Sequence, residues 1–323
     1  MIPTFPAFKV VDVSDRDAVE AYTRLHPPYS DFDFTSLWSW DTNSQRMISD
    51  LNGNLVVRFT DYGTGGPFFS FLGTNEVEQT TRTLIEYAKE NNMSPVLRLI
   101  PEETAKLMQA PLFVVEEDRD NFDYIYSVAE LAVLCGQKFN VRRHMAQRFS
   151  REHPEARFEL VDPSDAIIEE YAMSIMHEWE ADKQFKDHNR YELENEKLAI
   201  KRVFDAVTSL KLVVSGIFVN DVMSAFSIDE IVPDRYCMGH FWKADMKYKG
   251  IYDFHAQQIA LYLQANQMTY WNWEQDLGVK GLRKTKLSYR PSHFLKKYKI
   301  SMPYRYKTLR TRDGLYPTGK MAQ

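Results

Sequence analysis

The stretch "LKLVVSGIFVNDVMSAFSIDEIV", residues 210–232, decides the fold. Two apolar runs rich in Val, Ile and Phe meet at Val219-Asn220-Asp221, a turn signal, so the stretch reads as an antiparallel hairpin. Downstream, "RYCMGHFWKAD" (235–245) continues the meander, and a helix runs from Ile251 to about Asn266. "MTYWNWEQDLG" (268–278) reads as a strand, "KGLRKTKLSY" (280–289) as a short helix and "FLKKYKISM" (294–302) as a last strand. Upstream, "ARFELV" (156–161) is a strand, and Asp162-Pro163 opens a helix with Pro at its first position. A second helix covers roughly Arg190 to Val207. Two helices, a three-strand meander, a crossover helix and one more strand require a mixed sheet with one parallel pair.

The first half alternates in the same way. "SDRDAVEAYTRL" (14–25) has helical spacing, and "LNGNLVVRFTDYG" (51–63) and "PFFSFLG" (67–73) read as strands. "NEVEQTTRTLIEYAKENN" (75–92) is a helix with Asn75 as its cap, and "SPVLRLIP" (94–101) is a strand. "DNFDYIYSVAELAVL" (120–134) is a strand running into an apolar segment. "GQKFNVRRHMAQRFSREHP" (136–154) is a connecting helix with a strongly basic exterior. A chain of 323 residues favours two domains. The expected division is residues 1–135, a connecting helix at 136–152, and residues 153–323, in an α/β chain of the α+β kind.

Composition is that of an ordinary globular protein, 44% hydrophobic and 26% charged, with 14% aromatic residues. Two distant cysteines, Cys135 and Cys237, fit a reducing compartment better than a disulfide framework. No apolar run reaches the roughly 18 residues a membrane helix needs. The N-terminus has no signal-peptide pattern, so a cytoplasmic location is expected. Charge is unevenly spread. Val279 to Arg312 holds twelve Lys and Arg and no Asp or Glu, which leaves 28 basic against 45 acidic residues elsewhere.

The element order of the second half resembles the acyl-CoA N-acyltransferase, or GNAT-like, fold. Gly281-Leu282-Arg283 followed by Lys286, Tyr289 and Pro291 is similar to the GLR-x-x-K-x-x-aromatic-x-P signature of the phosphatidylglycerol lysyltransferase C-terminal domain family. "YSDFDFTSLWSW" (29–40) and "KFNVRRHMAQRFSREHPEARFELV" (138–161) also resemble segments of that family. The resemblance spans about Tyr29 to Tyr298. It implies tandem GNAT-like domains related to the FemABX transferases, which take an amino acid from aminoacyl-tRNA and pass it to an acceptor. The implied partners are therefore an aminoacyl-tRNA donor and a small-molecule, lipid or peptide acceptor.

That resemblance implies a reaction-centre role for Lys286, stabilising a phosphate or a tetrahedral oxyanion. Arg283 lies one helical turn before it. Glu274 and Asp276 alternate with Trp271 and Trp273, so a strand puts both carboxylates on one face. There they either bind an α-ammonium or accept a proton, or else cap the strand and pair with nearby lysines. Arg283, Lys284, Arg290 and Tyr289 would contact donor phosphates and bases. The same window equally reads as a basic face balancing an acidic partner domain. Lys247, Lys249 and Gly250 form the turn before the crossover helix, where free N–H groups favour an anion. This turn lacks the Arg/Gln-x-x-Gly-x-Gly/Ala run of acetyl-CoA users. Asp229 and Glu230 are either acceptor-side carboxylates or hairpin-end residues.

No HExxH, paired-cysteine, Walker A, G-x-S-x-G or G-x-G-x-x-G pattern occurs, and the eight histidines are scattered, so no metal site and no cofactor are expected. Three readings follow: an aminoacyl-tRNA-dependent aminoacyltransferase, an N-acyltransferase using acyl-CoA, or a non-catalytic binding protein on the same fold.

Overall fold

The computed structural model describes residues 1–60, 65–109, 111–184 and 190–303. Within them, the first half contributes β1 (Lys9–Val10), α1 (Arg16–Thr23), α2 (Phe34–Ser39), β2 (Met47–Leu51), β3 (Asn54–Thr60), β4 (Pro67–Leu72), α3 (Val77–Glu90) and β5 (Leu97–Pro101). Then come α4 (Glu102–Ala105), β6 (Val114–Glu117), β7 (Asp123–Ser127), α5 (Val128–Val133) and α6 (Asn140–Glu152). The second half runs β8 (Arg157–Val161), α7 (Ala166–Gln184), α8 (Arg190–Asp205), β9 (Leu212–Val219), β10 (Val222–Val232), β11 (Tyr236–Ala244) and α9 (Ile251–Ala265). It closes with β12 (Tyr270–Asn272), α10 (Lys280–Ser288), β13 (His293–Leu295) and β14 (Lys297–Ser301).

The decisive hairpin forms as read. Asn220 and Asp221 both take positive φ, 50° and 63°, the turn geometry that matches strand twist, and Val219 pairs with Val222 across it. β9, β10 and β11 make the antiparallel meander, and α9 carries the chain back so that β12 lies parallel to β11. Two local starts differ from expectation. Asp162 caps a turn by accepting from Ser164 N, and α7 begins only at Ala166. Asn75 is fastened to Asn54 and Gly53, so α3 starts after Glu76 with no side-chain cap.

The sheets do not respect the expected division at residue 135. The large sheet has the order β13-β7-β12-β11-β10-β9-β8, so β7 from the first half lies between two second-half strands. In return β14, at the end of the described chain, sits between β5 and β6. "FLKKYKISM" is accordingly two strands in two sheets. The apolar core is shared in the same way: Phe32, Leu37 and Trp38 pack in one cluster with Ala199, Val203, Phe226 and Phe241. Burying such a continuous apolar surface is the main stabilising term for both halves together.

Both faces of the meander are covered, which is why Met223 to Glu230 are all buried. α9 lies on one face and α2, α7 and α8 on the other. α6 clamps the start of α9. Gly250 there has φ 87°, and an added Cβ would stand 2.2 Å from the carbonyl oxygen of Met145. Gly281, within α10, has open space around it. Gly250→Ala should therefore lower stability by about 2 kcal/mol or more, from backbone strain and steric overlap. Gly281→Ala should raise it by about 0.5–1 kcal/mol. Urea unfolding of the two variants checks both signs.

Candidate active site

β12 is short because its two sides diverge. It pairs with β11 only from Tyr236 to Met238, while β11 continues to Ala244. After Asn272 the chain turns away. The Asn272 amide donates to Pro28 O at 2.9 Å, its side-chain oxygen accepts from Glu274 N at 2.8 Å, and Glu274 adopts φ 56°. The extended alternation ends there, so Glu274 and Asp276 do not share a strand face as the sequence suggested. A non-glycine residue at positive φ costs of order 1–3 kcal/mol, a strain found where side chains must be aimed. The opening is walled by aromatic rings: Trp242 lies 5.2 Å from Trp273, which lies 4.2 Å from Tyr126 and 4.9 Å from Tyr289. The Trp273 ring N–H is buried and has no hydrogen-bond partner among the described residues.

α10 delivers Lys286 to this opening. Its ammonium donates to the carbonyls of Trp273 and Gln275, each at 2.5 Å, which leaves one N–H uncommitted. Burial pushes its pKa down to about 8 against the opposing charges of Glu274, Asp123 and Asp276. Asp276 takes a different part. It accepts from Arg283 through two nitrogens at 2.8 and 2.7 Å, from Tyr124 at 2.5 Å and from Gly278 N at 2.9 Å. Arg283 also donates to Asp120 at 2.6 Å. Asp276 and Arg283 thus fix each other at the entry to α10 and position Lys286. Burial pushes the Asp276 carboxyl up, but Arg283, Tyr124 and Gly278 outweigh it and hold it below the usual carboxylate range.

On the other side of Glu274, the segment Ser30–Ser36 crosses from the first half. Ser36 donates to Glu274 at 2.7 Å and lies 3.0 Å from His240 Nδ1. Thr35 donates to Glu230 at 2.6 Å, and Arg16 also donates to Glu230. His240 is the extra residue of a bulge, since Ile228 faces Phe241 while Asp229 faces Gly239. Bulges re-aim side chains in this way. Burial alone would lower the His240 pKa, but Asp33, Glu230 and Glu274 around it raise it well above the ordinary value. Burial and the Glu230 charge together push the Asp33 carboxyl up. Glu230 is lowered overall, because His240, Arg16 and Thr35 outweigh its burial.

The same segment is anchored by Lys297. Its buried ammonium contacts Asp31, Asp123 at 2.7 Å and Ser30 at 3.2 Å, and Asp123 accepts from Ser30 N at 2.8 Å. Asp229 points to the opposite face of β10 from Glu230. There Trp242 donates to His255, His255 contacts Ser215, Ser215 contacts Ser227, and Ser227 and Trp271 both donate to Asp229. That chain joins α9 to the sheet and stands apart from the Lys286 group.

The remaining sequence candidates separate. Lys247 pairs with Asp245, Lys249 is exposed, and Gly250 lies under α6. The first turn of α9 already holds a carboxylate, Asp253, which accepts from Arg142 and Tyr289, each at 3.0 Å. Tyr289 is buried against Trp273 and donates to Asp253, so it joins the two groups from the inside. Of the basic window's eight described residues, Arg283, Lys296, Lys297 and Lys299 are ion-paired, and Lys286 sits on carbonyls. Among the described residues, Lys280, Lys284 and Arg290 are exposed and have no ion pair. Arg305, Lys307, Arg310 and Arg312 lie outside the described residues.

Asp31, Asp33, Ser36, Asp123 and His240 were not singled out from sequence, and Lys297, read there as one cation of the basic phosphate surface, is instead buried between Asp31 and Asp123. "YSDFDFTSLWSW" marked Asp31, Asp33 and Ser36 only as part of a block, and no local signal marked Asp123 or His240, because the partners in this group lie up to 267 positions apart.

A mixed sheet that opens beside a crossover helix, accompanied by a second half of helices and antiparallel sheets, defines a tandem GNAT-like protein. The chain matches the family described as phosphatidylglycerol lysyltransferase, C-terminal, over residues 22–301, and belongs to it. It is thereby related to lysyltransferases and GNAT acyltransferases. A conserved protein of unknown function from Bacteroides thetaiotaomicron is similar at 27% identity and TM-score 0.80, over 94% of this chain and 100% of that one. L-PGS from Bacillus licheniformis shares the fold at 14% identity and TM-score 0.61, over 92% and 95% of the two chains. FemX shares it at 9% identity and TM-score 0.52, over 91% and 96%. No curated protein sequence matches the chain. Among the described residues no helix is long and apolar enough to cross a membrane.

Lys297→Met should cost about 3–5 kcal/mol by leaving Asp31 and Asp123 buried without their cation, measured by urea unfolding at neutral pH.

Proposed function

We propose that the protein is an aminoacyltransferase that moves an aminoacyl group from aminoacyl-tRNA to an amine or hydroxyl acceptor. The observation that carries this reading is Lys286, whose ammonium stands in the opening between β11 and β12, with the Glu274 carboxylate as the charge acting on it most strongly and one N–H uncommitted. The aminoacyl bond is already an activated ester, so the protein has to bind a polyanionic strand end and stabilise the charge that develops on the carbonyl oxygen. The remaining Lys286 N–H serves that oxyanion, and the unpartnered Trp273 N–H offers a second donor nearby. Glu274 accepts the proton from the attacking amine or hydroxyl, and the departing ribose hydroxyl takes up a proton as the ester bond breaks.

Lys280, Lys284 and Arg290, exposed on and just after α10, are the phosphate contacts this reading requires. Lys247, Lys249 and Gly250 fit an acyl-CoA pyrophosphate less well, because Asp253 occupies the first turn of α9 and the Met145 carbonyl lies against Gly250. The donor places the reaction in the cytoplasm.

Transfer from labelled aminoacyl-tRNA to a panel of lipid, peptide and small-molecule acceptors tests the reading. Lys286→Met should lower transfer by roughly 10²–10³-fold. Because Lys286 acts as a cation, the wild-type rate should fall as pH rises through about 8. Lys284→Ala should weaken tRNA binding and reduce the slope of log affinity against log salt by about 0.7–0.9. Absence of salt-dependent tRNA binding, or a transfer rate indifferent to Lys286→Met, would refute the proposal.

A further inference from the structure

The hydrogen-bond order around His240 leaves one ring nitrogen with an unusual task. Ser36 has a single hydroxyl proton, and it goes to Glu274 at 2.7 Å. Toward His240 Nδ1, 3.0 Å away, Ser36 can only accept. Nδ1 therefore carries hydrogen, and Nε2 faces two carboxylates, toward which the ring, held protonated by the surrounding acids, directs its second N–H. Nε2 is fully buried and has no hydrogen-bond partner among the described residues, with Glu230 Oε2 at 3.4 Å and Asp33 Oδ1 at 3.6 Å. That N–H is aligned with neither carboxylate, and a metal ion can take the place of its proton among the three groups.

The spacing fits a metal ion. Ligand atoms of Asp33, Glu230 and His240 all lie within 4.8 Å of one another. Four ligands at about 2.0–2.2 Å from a tetrahedral zinc stand about 3.4 Å apart. Existing contacts leave the ligand atoms free to bind: Glu230 Oε1 takes Arg16, Oε2 takes Thr35 at 2.6 Å, and Asp33 Oδ1 takes Ser36 N at 3.2 Å. An oxygen that accepts one such bond keeps a second lone pair. Charge permits the exchange: once the Nε2 proton is displaced, Asp33, Glu230 and Glu274 face only the guanidinium of Arg16, and a divalent ion balances them.

We propose that His240 Nε2 and the carboxylates of Asp33 and Glu230 form a binding site for a divalent cation of the zinc type, with the fourth position open to water or another ligand. Ser36 sets the His240 tautomer, as outer partners of metal-bound histidines do. Asp33 caps α2, while Glu230 and His240 belong to β10 and β11, so the ion fastens the first half to the large sheet. The site is independent of the aminoacyl-transfer reading.

The full chain, stripped by dialysis against a chelator, is titrated with zinc chloride by calorimetry and with cobalt(II) by visible absorption. The expected results are one equivalent of zinc and the intense visible bands of tetrahedral cobalt. His240→Gln and Asp33→Asn should each weaken zinc binding by about 100-fold or more, while His144→Gln leaves it unchanged. Should either variant fail to fold by circular dichroism, ring-nitrogen NMR of the wild type decides. A zinc-bound Nε2 without hydrogen supports the site. An imidazolium with both nitrogens protonated in the presence of zinc overturns it, as does absence of zinc uptake or uptake unchanged in folded variants.

Discussion

One buried ammonium organises the join between the halves. Lys297 sits at the start of β14, is 1% exposed, and meets Asp31 from the loop before α2 and Asp123 from β7. Removing these charges from water is expensive, and the arrangement is tolerable because Ser30 and Asn272 supply further hydrogen bonds to Asp123. Three distant pieces of chain are thereby held at one point. Once Ser30 and Asp31 are fixed there, Asp33, Thr35 and Ser36 follow along the entry to α2. They arrive at Glu230, His240 and Glu274 with hydrogen-bonding geometry.

The exchange of strands has the same effect on a larger scale. β7 completes the large sheet beside β12, and β14 completes the small sheet between β5 and β6. β7 also supplies Tyr124 and Tyr126, which hold Asp276 and the Lys286 carbonyl. The opening at the end of β12 is thus bounded by residues from both halves. Neither half alone carries Lys286, Glu274 and Ser36 together with Asp123.

Local periodicity made much of this legible. The hairpin at Asn220-Asp221, the crossover helix α9, the parallel return of β12 and the short helix with Lys286 follow from alternation, turn residues and helical spacing. What stayed hidden depends on contacts remote in sequence. His240 reaches its pocket through a bulge, which shifts the alternation by one residue and cannot be read from the strand pattern. Glu274 leaves its expected face because its backbone adopts positive φ. The basic window looked like one surface because its neutralising carboxylates other than Asp276, namely Glu117, Asp118, Asp120, Asp123 and Asp31, lie far upstream. The division at residue 135 failed to separate the sheets for the same reason, since strand exchange leaves no mark in composition.

The central claim is that the halves form one cooperative unit whose joint residues build the site. Differential scanning calorimetry of the full chain tests it most directly. The account predicts a single transition with equal calorimetric and van't Hoff enthalpies. Two separable transitions, with the Lys286 region melting independently of the Ser30–Ser36 segment, would contradict it.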